Sequence, residues 1–148
     1  MALHINLEKA KAMLAESIRL AGEDKKYIKL GDGRSCFYVH AKLDGVEVDP
    51  EDVCDMEDVE LVPGCLVGDA FIREGIAMEW IVKNVNNEGA MELLRKLKKE
   101  GFITFTNHAD MYLDIAQSKQ DHGYTWGAAA SRAERYIQAN VDVPEMVV

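Results

Sequence analysis

Residues 90–110, AMELLRKLKKEGFITFTNHAD, contain in one continuous run the signals of a helix, its end, a strand and the start of a second helix. The composition predicts a helix over residues 90–100, and Gly101 is a natural end for it. If Gly101 adopts the left-handed conformation, the side chains of Leu97 and Phe102 meet across the helix end in a Schellman cap. This stretch is the local basis for predicting a fold that contains both helices and strands.

The chain that follows continues the same alternation. Residues 102–106 are short and β-prone, and Thr106 or Asn107 can cap a helix that runs to about Gln120. Thr125 can cap a last helix. Its predicted apolar stripe has helical spacing and consists of Trp126, Ala129, Ala130, Ala133, Tyr136 and Ile137.

Working back toward residue 1, two further helices have clear limits. Asn6 can cap a first helix that ends at Gly22. A second helix is predicted over residues 65–74, where Gly75 allows a second Schellman cap. Residues 78–83 are expected to form a turn of helix. The helical part of the chain is therefore predicted mainly from local stop and start signals.

A small sheet is predicted between the first two helices. Residues 35–40, SCFYVH, are rich in strand formers, and residues 42–48 alternate apolar and polar side chains. The two could pair as a hairpin, although Asp44 and Gly45 could themselves form the turn. The register is left open.

Length and composition indicate one domain. The chain has 148 residues, of which 48% are hydrophobic and 29% are charged, and this is typical of one soluble globular domain. We predict a single α+β domain over residues 1–148, with about five helices and a small antiparallel hairpin or sheet from residues 35–48, for which residues 102–106 are a further candidate strand. The apolar stretches are too short to cross a bilayer, no secretion signal is recognised, and a cytoplasmic location is expected.

The net charge of −9 arises in one segment. Residues 44–60, called here the acidic segment, contain no Lys or Arg and nine acidic residues: Asp44, Glu47, Asp49, Glu51, Asp52, Asp55, Glu57, Asp58 and Glu60. These carboxylates repel one another, so the segment should stay solvated unless a cation or a basic partner neutralises it. Three interpretations remain open: a solvated loop over residues 44–62, a site for a basic partner, including mimicry of a nucleic-acid backbone, and divalent-ion binding.

The sequence contains no motif that identifies a reaction. Phosphate-binding loops, dinucleotide-binding glycine patterns and metalloprotease or hydrolase signatures are all missing. The three cysteines lack metal-ligand spacing, and Cys36 and Cys65 are expected to be small buried side chains. We therefore predict no cofactor and no metal site, and enzymatic activity is disfavoured.

The most distinctive local sequence is the corner at residues 117–128, SKQDHGYTWGA preceded by Gln117. Its structural interpretation is a turn between two helices, in which Trp126 enters the core and Gly127 lets another backbone come close. The functional alternative is a small polar recognition site formed by Gln120, Asp121, His122 and Trp126.

Two short patterns carry a resemblance. The order PGCLVG at residues 63–68, then Phe105-Thr106, then QDHGYTWGAA at residues 120–129 resembles small uncharacterised proteins of actinobacterial phages. The likeness spans roughly residues 36–130 and brings no known activity. It implies a viral origin and an accessory role in the cytoplasm of a host cell.

The leading functional prediction is a non-enzymatic accessory protein that binds a host or viral macromolecule, with the acidic segment as the candidate binding site. The expected partner is a protein with a basic surface; neither direct nucleic-acid binding nor membrane association is expected. The alternative is an enzyme or small-ligand protein with a polar site near Asp121, His122 and a cysteine. A third alternative is a homodimer formed through the last helix and the apolar residues 141–148, a tail that is expected to dock, to pair with a neighbouring chain or to fray.

Overall fold

The computed structural model describes residues 2–30, 36–53 and 59–148. The strands are β1 (Leu3–Ile5), β2 (Val39–Leu43), β3 (Val46–Val48), β4 (Glu60–Pro63) and β5 (Ile103–Phe105). The helices are α1 (Leu7–Ala21), α2 (Leu66–Arg73), α3 (Met78–Asn84), α4 (Ala90–Lys99), α5 (Asn107–Asp121) and α6 (Trp126–Asn140), and Pro50–Asp52 forms a 3₁₀ turn. The architecture is α+β, with one helix more than the predicted five among the described residues.

The predicted helix starts are confirmed because each capping side chain accepts a hydrogen bond from the first turn. Asn6 Oδ1 accepts from the Lys9 amide at 2.8 Å. The Thr106 hydroxyl accepts from Ala109 and the Thr125 hydroxyl from Ala128, each at 3.2 Å. Each bond satisfies an amide that has no partner inside its own helix.

The predicted helix ends at Gly75 and Gly101 are also confirmed. Both glycines have positive φ, +102° and +79°. The amide after each glycine closes the Schellman bond, from Ile76 to Phe71 O at 3.1 Å and from Phe102 to Leu97 O at 3.0 Å. Gly123, with φ +94°, ends α5 in the same way. The hydrogen bond that closes each of these helix ends comes from an amide five residues further along the chain, so local sequence is enough to form it.

A hydrophobic cluster among the described residues joins the six helices to strands β1, β2 and β5. α5 packs against α6 and α1, and α2 lies against α1. The largest fully buried side chains include Trp126, Tyr38, Phe71, Leu14, Leu66 and Leu113. Tyr136 departs from the predicted apolar stripe of α6, because it is 47% exposed. No helix among the described residues is both long and apolar enough to cross a membrane.

The antiparallel sheet has the order β3–β2–β4. Asp44 and Gly45, both with positive φ, form the two-residue turn, so the second of the two predicted alternatives is confirmed. The first strand begins at Val39 rather than at residue 35. Ahead of it, residues 31–35 lie outside the described part of the chain.

The predicted strand at residues 102–106 is present as β5, but it does not belong to the antiparallel sheet. β5 pairs in parallel with β1, in the register Leu3 with Ile103 and Ile5 with Phe105. Parallel strands need a long connection, and here it contains α1 to α4 and the antiparallel sheet. Because α1 follows β1 and α5 follows β5, the N-termini of both helices emerge at the same end of this strand pair.

The acidic segment differs from the expected loop. Its described part contains β3, the 3₁₀ turn and the first residue of β4. Asp49 caps the turn, because its Oδ1 accepts from the Glu51 amide at 2.9 Å. The segment is thus an extension of the sheet on either side of residues 54–58, which lie outside the described residues.

Candidate functional site

Six of the nine predicted partner-binding acids fall in the described part of the chain, and Asp55, Glu57 and Asp58 lie outside it. Four of the six are exposed, namely Asp44, Glu51, Asp52 and Glu60. Glu47 and Asp49 are partly buried. The exposed carboxylates lie in the β2–β3 turn, in the 3₁₀ turn and at the start of β4.

The ion pairs that Lys and Arg form among the described residues all lie outside the acidic segment. Among the described residues, no Lys or Arg forms an ion pair with any of the six, and only Glu47 contacts a base, His40. Elsewhere six carboxylates form such pairs: Glu74 with Lys9, Glu134 with Lys11, Glu16 with Arg19, Asp69 with Arg73, Glu92 with Arg95 and Glu88 with Lys96. Lys42 is the cross-strand neighbour of Glu47 and Glu60, but it forms no ion pair with either.

The hairpin tip adds apolar surface to this charge. Leu43 and Val46 are cross-strand neighbours on either side of the Asp44-Gly45 turn. Leu43 is 43% exposed and Val46 is 62% exposed. The tip therefore presents two aliphatic side chains next to unpaired carboxylates, a combination suited to a partner that is basic and partly apolar.

A hydrogen-bonded chain anchors the hairpin to the body. His40 is fully buried; its Nδ1 lies 2.9 Å from Glu47 Oε1 and its Nε2 lies 2.9 Å from the Tyr27 hydroxyl. The Phe37 amide donates to the same hydroxyl at 2.9 Å. The Tyr27 proton is therefore free to point at Nε2, and Nδ1 carries the proton that Glu47 accepts. This arrangement requires neutral imidazole.

Burial lowers the pKa of His40 below its usual 6.5, and nearby Lys25 lowers it further, whereas Glu47 and Asp49 raise it without reversing the shift. A protonated ring would also place an N–H against the Tyr27 hydroxyl and force that hydroxyl to turn away. The hydrogen bonds that link Glu47, His40 and Tyr27 are thus most stable at neutral pH and above.

We expect acidification to weaken the fold through His40. Because its folded-state pKa is depressed, its contribution is fully present above pH 6.5 and is lost as the pH falls through the folded-state pKa. Urea unfolding at pH 7.5 and 5.5 should give a smaller loss of stability for His40→Gln than for the wild type. His122→Gln, at an exposed histidine, is the control and should retain the wild-type loss; equal losses in all three proteins would contradict this role of His40.

The structure brings part of the predicted polar site together. The Gln117 and Gln120 amides donate to Asp121 Oδ1 at 3.3 and 3.0 Å, and to Cys36 Sγ at 2.7 and 3.5 Å. Gln120 Oε1 accepts from the Leu66 amide at 2.8 Å and so caps α2. This polar cluster, defined as Cys36, Gln117, Gln120 and Asp121, joins α5 to α2 and to the chain ahead of β2.

The other two residues of that site lie apart. His122 is exposed, and its Nδ1 lies 2.6 Å from Ser118 O on its own helix. Trp126 is 2% exposed and belongs to the core, while Gly127 donates to Glu23 O at 3.0 Å. A Cβ on Gly127 would lie 3.0 Å from that oxygen. The interhelical corner is therefore built as its structural interpretation predicted.

The chemistry of the polar cluster does not favour a nucleophile. Burial raises the pKa of the Cys36 thiol far above its usual range, and its contact with Cys65 raises it further. Burial also raises the pKa of Asp121, against the lowering effect of its hydrogen bonds. A protonated thiol is a weak nucleophile and a poor metal ligand. Within the part of the chain that the structure describes, no three His, Cys, Asp or Glu side chains are grouped to hold a metal ion.

Sequence reasoning missed Tyr27, Gln117 and the role of His40. Tyr27 lies in a polar stretch without periodicity, so no local signal identifies it. His40 lies in a β-prone run, which is compatible with burial, but the run does not identify Glu47 and Tyr27 as its partners. Gln117 is 5% exposed and its Oε1 has no hydrogen-bond partner among the described residues. A buried amide on a helix interior gives no sign of its partners in the sequence.

Comparison with known proteins adds no relative: the chain matches no family model, no curated protein and no solved structure. The resemblance to phage proteins stays a prediction.

Proposed function

We propose that this protein is a non-enzymatic accessory protein that binds a basic, partly apolar macromolecular partner through the acidic segment and the tip of the β2–β3 hairpin. The observation that carries the proposal is the run of exposed carboxylates with no ion-pair partner among the described residues. Six carboxylates elsewhere have Lys or Arg partners, whereas none of the six described acids of this segment has one among the described residues.

A cationic partner would lower the electrostatic free energy of the acidic segment. Exposed carboxylates of one sign repel one another, and a partner with Lys or Arg side chains relieves that repulsion. Such attraction accelerates association and weakens with salt, because the screening length is about 8 Å at physiological ionic strength. Leu43 and Val46 would add apolar burial, which salt does not screen.

The proposal is tested with a defined probe, a short peptide of alternating lysine and leucine, by isothermal titration calorimetry. The triple variant Glu51→Gln, Asp52→Asn, Glu60→Gln should bind about tenfold more weakly than the wild type, since each lost exposed charge pair is worth roughly 0.2–1 kcal/mol. These residues are exposed and make no ion pair with the described residues, so the fold should be retained.

A matched control removes the same charge elsewhere. Glu79→Gln, Glu100→Gln, Asp142→Asn replaces two Glu and one Asp at exposed positions away from the segment. It should change the affinity less than twofold. Equal weakening by both triple variants would mean that only the net charge of the protein matters, and this would refute the proposal. The proposal would also be refuted if the wild type showed no salt-dependent binding of the peptide.

A further inference from the structure

Residues 141–148 lie along the end of β5 and are held by backbone hydrogen bonds. The Asn107 amide donates to Met146 O at 2.9 Å, and the Val148 amide donates to Phe105 O at 2.8 Å. Asn107 Oδ1 accepts from the Met146 amide at 2.8 Å. The segment thus forms one antiparallel bridge, Thr106 with Val147, just beyond the end of β5, which is the backbone contact that β-augmentation extends.

One side chain of the segment occupies a built carboxylate site. Glu145 Oε2 accepts from the Leu7 amide at 2.5 Å and from the Thr106 hydroxyl at 2.6 Å. Leu7 is the first residue of α1, and Thr106 is the cap of α5. The positive ends of two helices of fifteen residues each therefore converge on one carboxylate.

The ionised form of Glu145 is favoured there. Burial alone would raise its pKa, but the hydrogen bonds from Thr106 and Leu7, with His108 and His4 nearby, hold the pKa of this carboxyl below its usual range. Thr106 and Leu7 come from elements that the β1–β5 pairing places side by side. The site is therefore a product of the parallel strand pair.

Beyond Val141, which packs against the core, the apolar side chains of the segment contribute little to its attachment. Val143, Met146, Val147 and Val148 are all between 51% and 63% exposed. What holds residues 143–148 is one carboxylate and an extended backbone, whose carbonyls also accept from the side chains of Lys98, Asn107 and His108. Any peptide with those two features has the groups that this site recognises.

We propose that the β5 edge and the carboxylate site form a receptor for an extended, glutamate-containing peptide of a partner protein, and that residues 141–148 are a resident occupant which the partner displaces. A tethered segment competes at an effective concentration of the order of millimolar. A second copy of this chain would offer the identical segment, which leaves the same side chains exposed. A different protein can bind more tightly by burying the side chains that it presents at those positions.

The test uses the full chain and a synthetic peptide with the sequence of residues 141–148, acetylated and amidated, followed by NMR shifts of the Leu7 and Asn107 amides. Glu145→Ala should loosen the resident segment, so the peptide should bind this variant roughly tenfold or more tightly than the wild type. Asp142→Ala removes an exposed carboxylate from the same segment and should bind the peptide as the wild type does.

A second peptide carrying Gln in place of the glutamate should bind Glu145→Ala at least tenfold more weakly than the first. The proposal is overturned if the two peptides bind equally, or if neither shifts the two amides. Sedimentation tests whether a second copy of this chain occupies the site instead. A wild-type dimer that is lost in Glu145→Ala would assign the site to a second copy and overturn the proposal of a different partner protein.

Discussion

Replacing Gly68 by alanine should lower the free energy of unfolding by about 3 kcal/mol, because the new methyl group would overlap a buried backbone. A Cβ at this position would lie 2.5 Å from Tyr38 O and 2.7 Å from Tyr38 Cα. Neither atom can swing away as a side-chain end can. Moving Tyr38 would strain the 2.8 Å bond that its carbonyl accepts from the Gly64 amide. The gain in helix propensity, about 1 kcal/mol, offsets only part of this cost.

Urea unfolding and thermal melting measure this effect, and the melting temperature should fall by about 6–12 °C. Gly89→Ala is the control, since a Cβ at Gly89 meets nothing within 4 Å and its φ is −67°. That variant should stay within about 0.5 kcal/mol of the wild type. If both variants lose the same stability, close packing of α2 on Tyr38 is not the cause.

Trp126→Ala should cost about 3–5 kcal/mol, the range for removing a large buried aromatic side chain. Trp126 is 2% exposed and begins α6, and its amide donates to Lys25 O at 2.7 Å. Its ring therefore fixes the position at which the last helix starts, against the chain that follows α1. Denaturant titration followed by circular dichroism is the appropriate measurement.

Trp126→Phe separates ring packing from hydrogen bonding. Trp126 Nε1 is buried without a partner among the described residues, so phenylalanine removes no hydrogen bond. We expect a loss of only about 1 kcal/mol, from the smaller ring. A phenylalanine variant as unstable as the alanine variant would show that the indole N–H has an essential partner.

The acidic segment and the corner show how far a site can be predicted from sequence. The charge imbalance of residues 44–60 is a property of composition, and it identified the segment without any structural knowledge. Its lack of Lys and Arg partners among the described residues depends on where distant side chains lie. In the corner, Gln120 and Asp121 contact Cys36, which is more than eighty residues away in sequence, whereas His122 faces solvent one residue later.

The segment 141–148 illustrates the same limit. Three alternatives were open from the sequence, because Pro144 only forbids a helix. The docked position depends on Glu145 meeting Leu7 and Thr106, which come together only after β1 and β5 have paired. No signal within the segment specifies that pairing.

The amino-acid order determined the helices of this protein, because Asn6, Thr106 and Thr125 at their starts and Gly75, Gly101 and Gly123 at their ends are satisfied by backbone groups a few residues away. Tertiary structure decided which strands pair, namely β1 with β5 and β4 with β2. It also decided the burial of His40 and the contact of the Glu145 carboxylate with the start of α1. Strands of three or four residues are too short to show a period, and their partners are selected by the packing of the whole core.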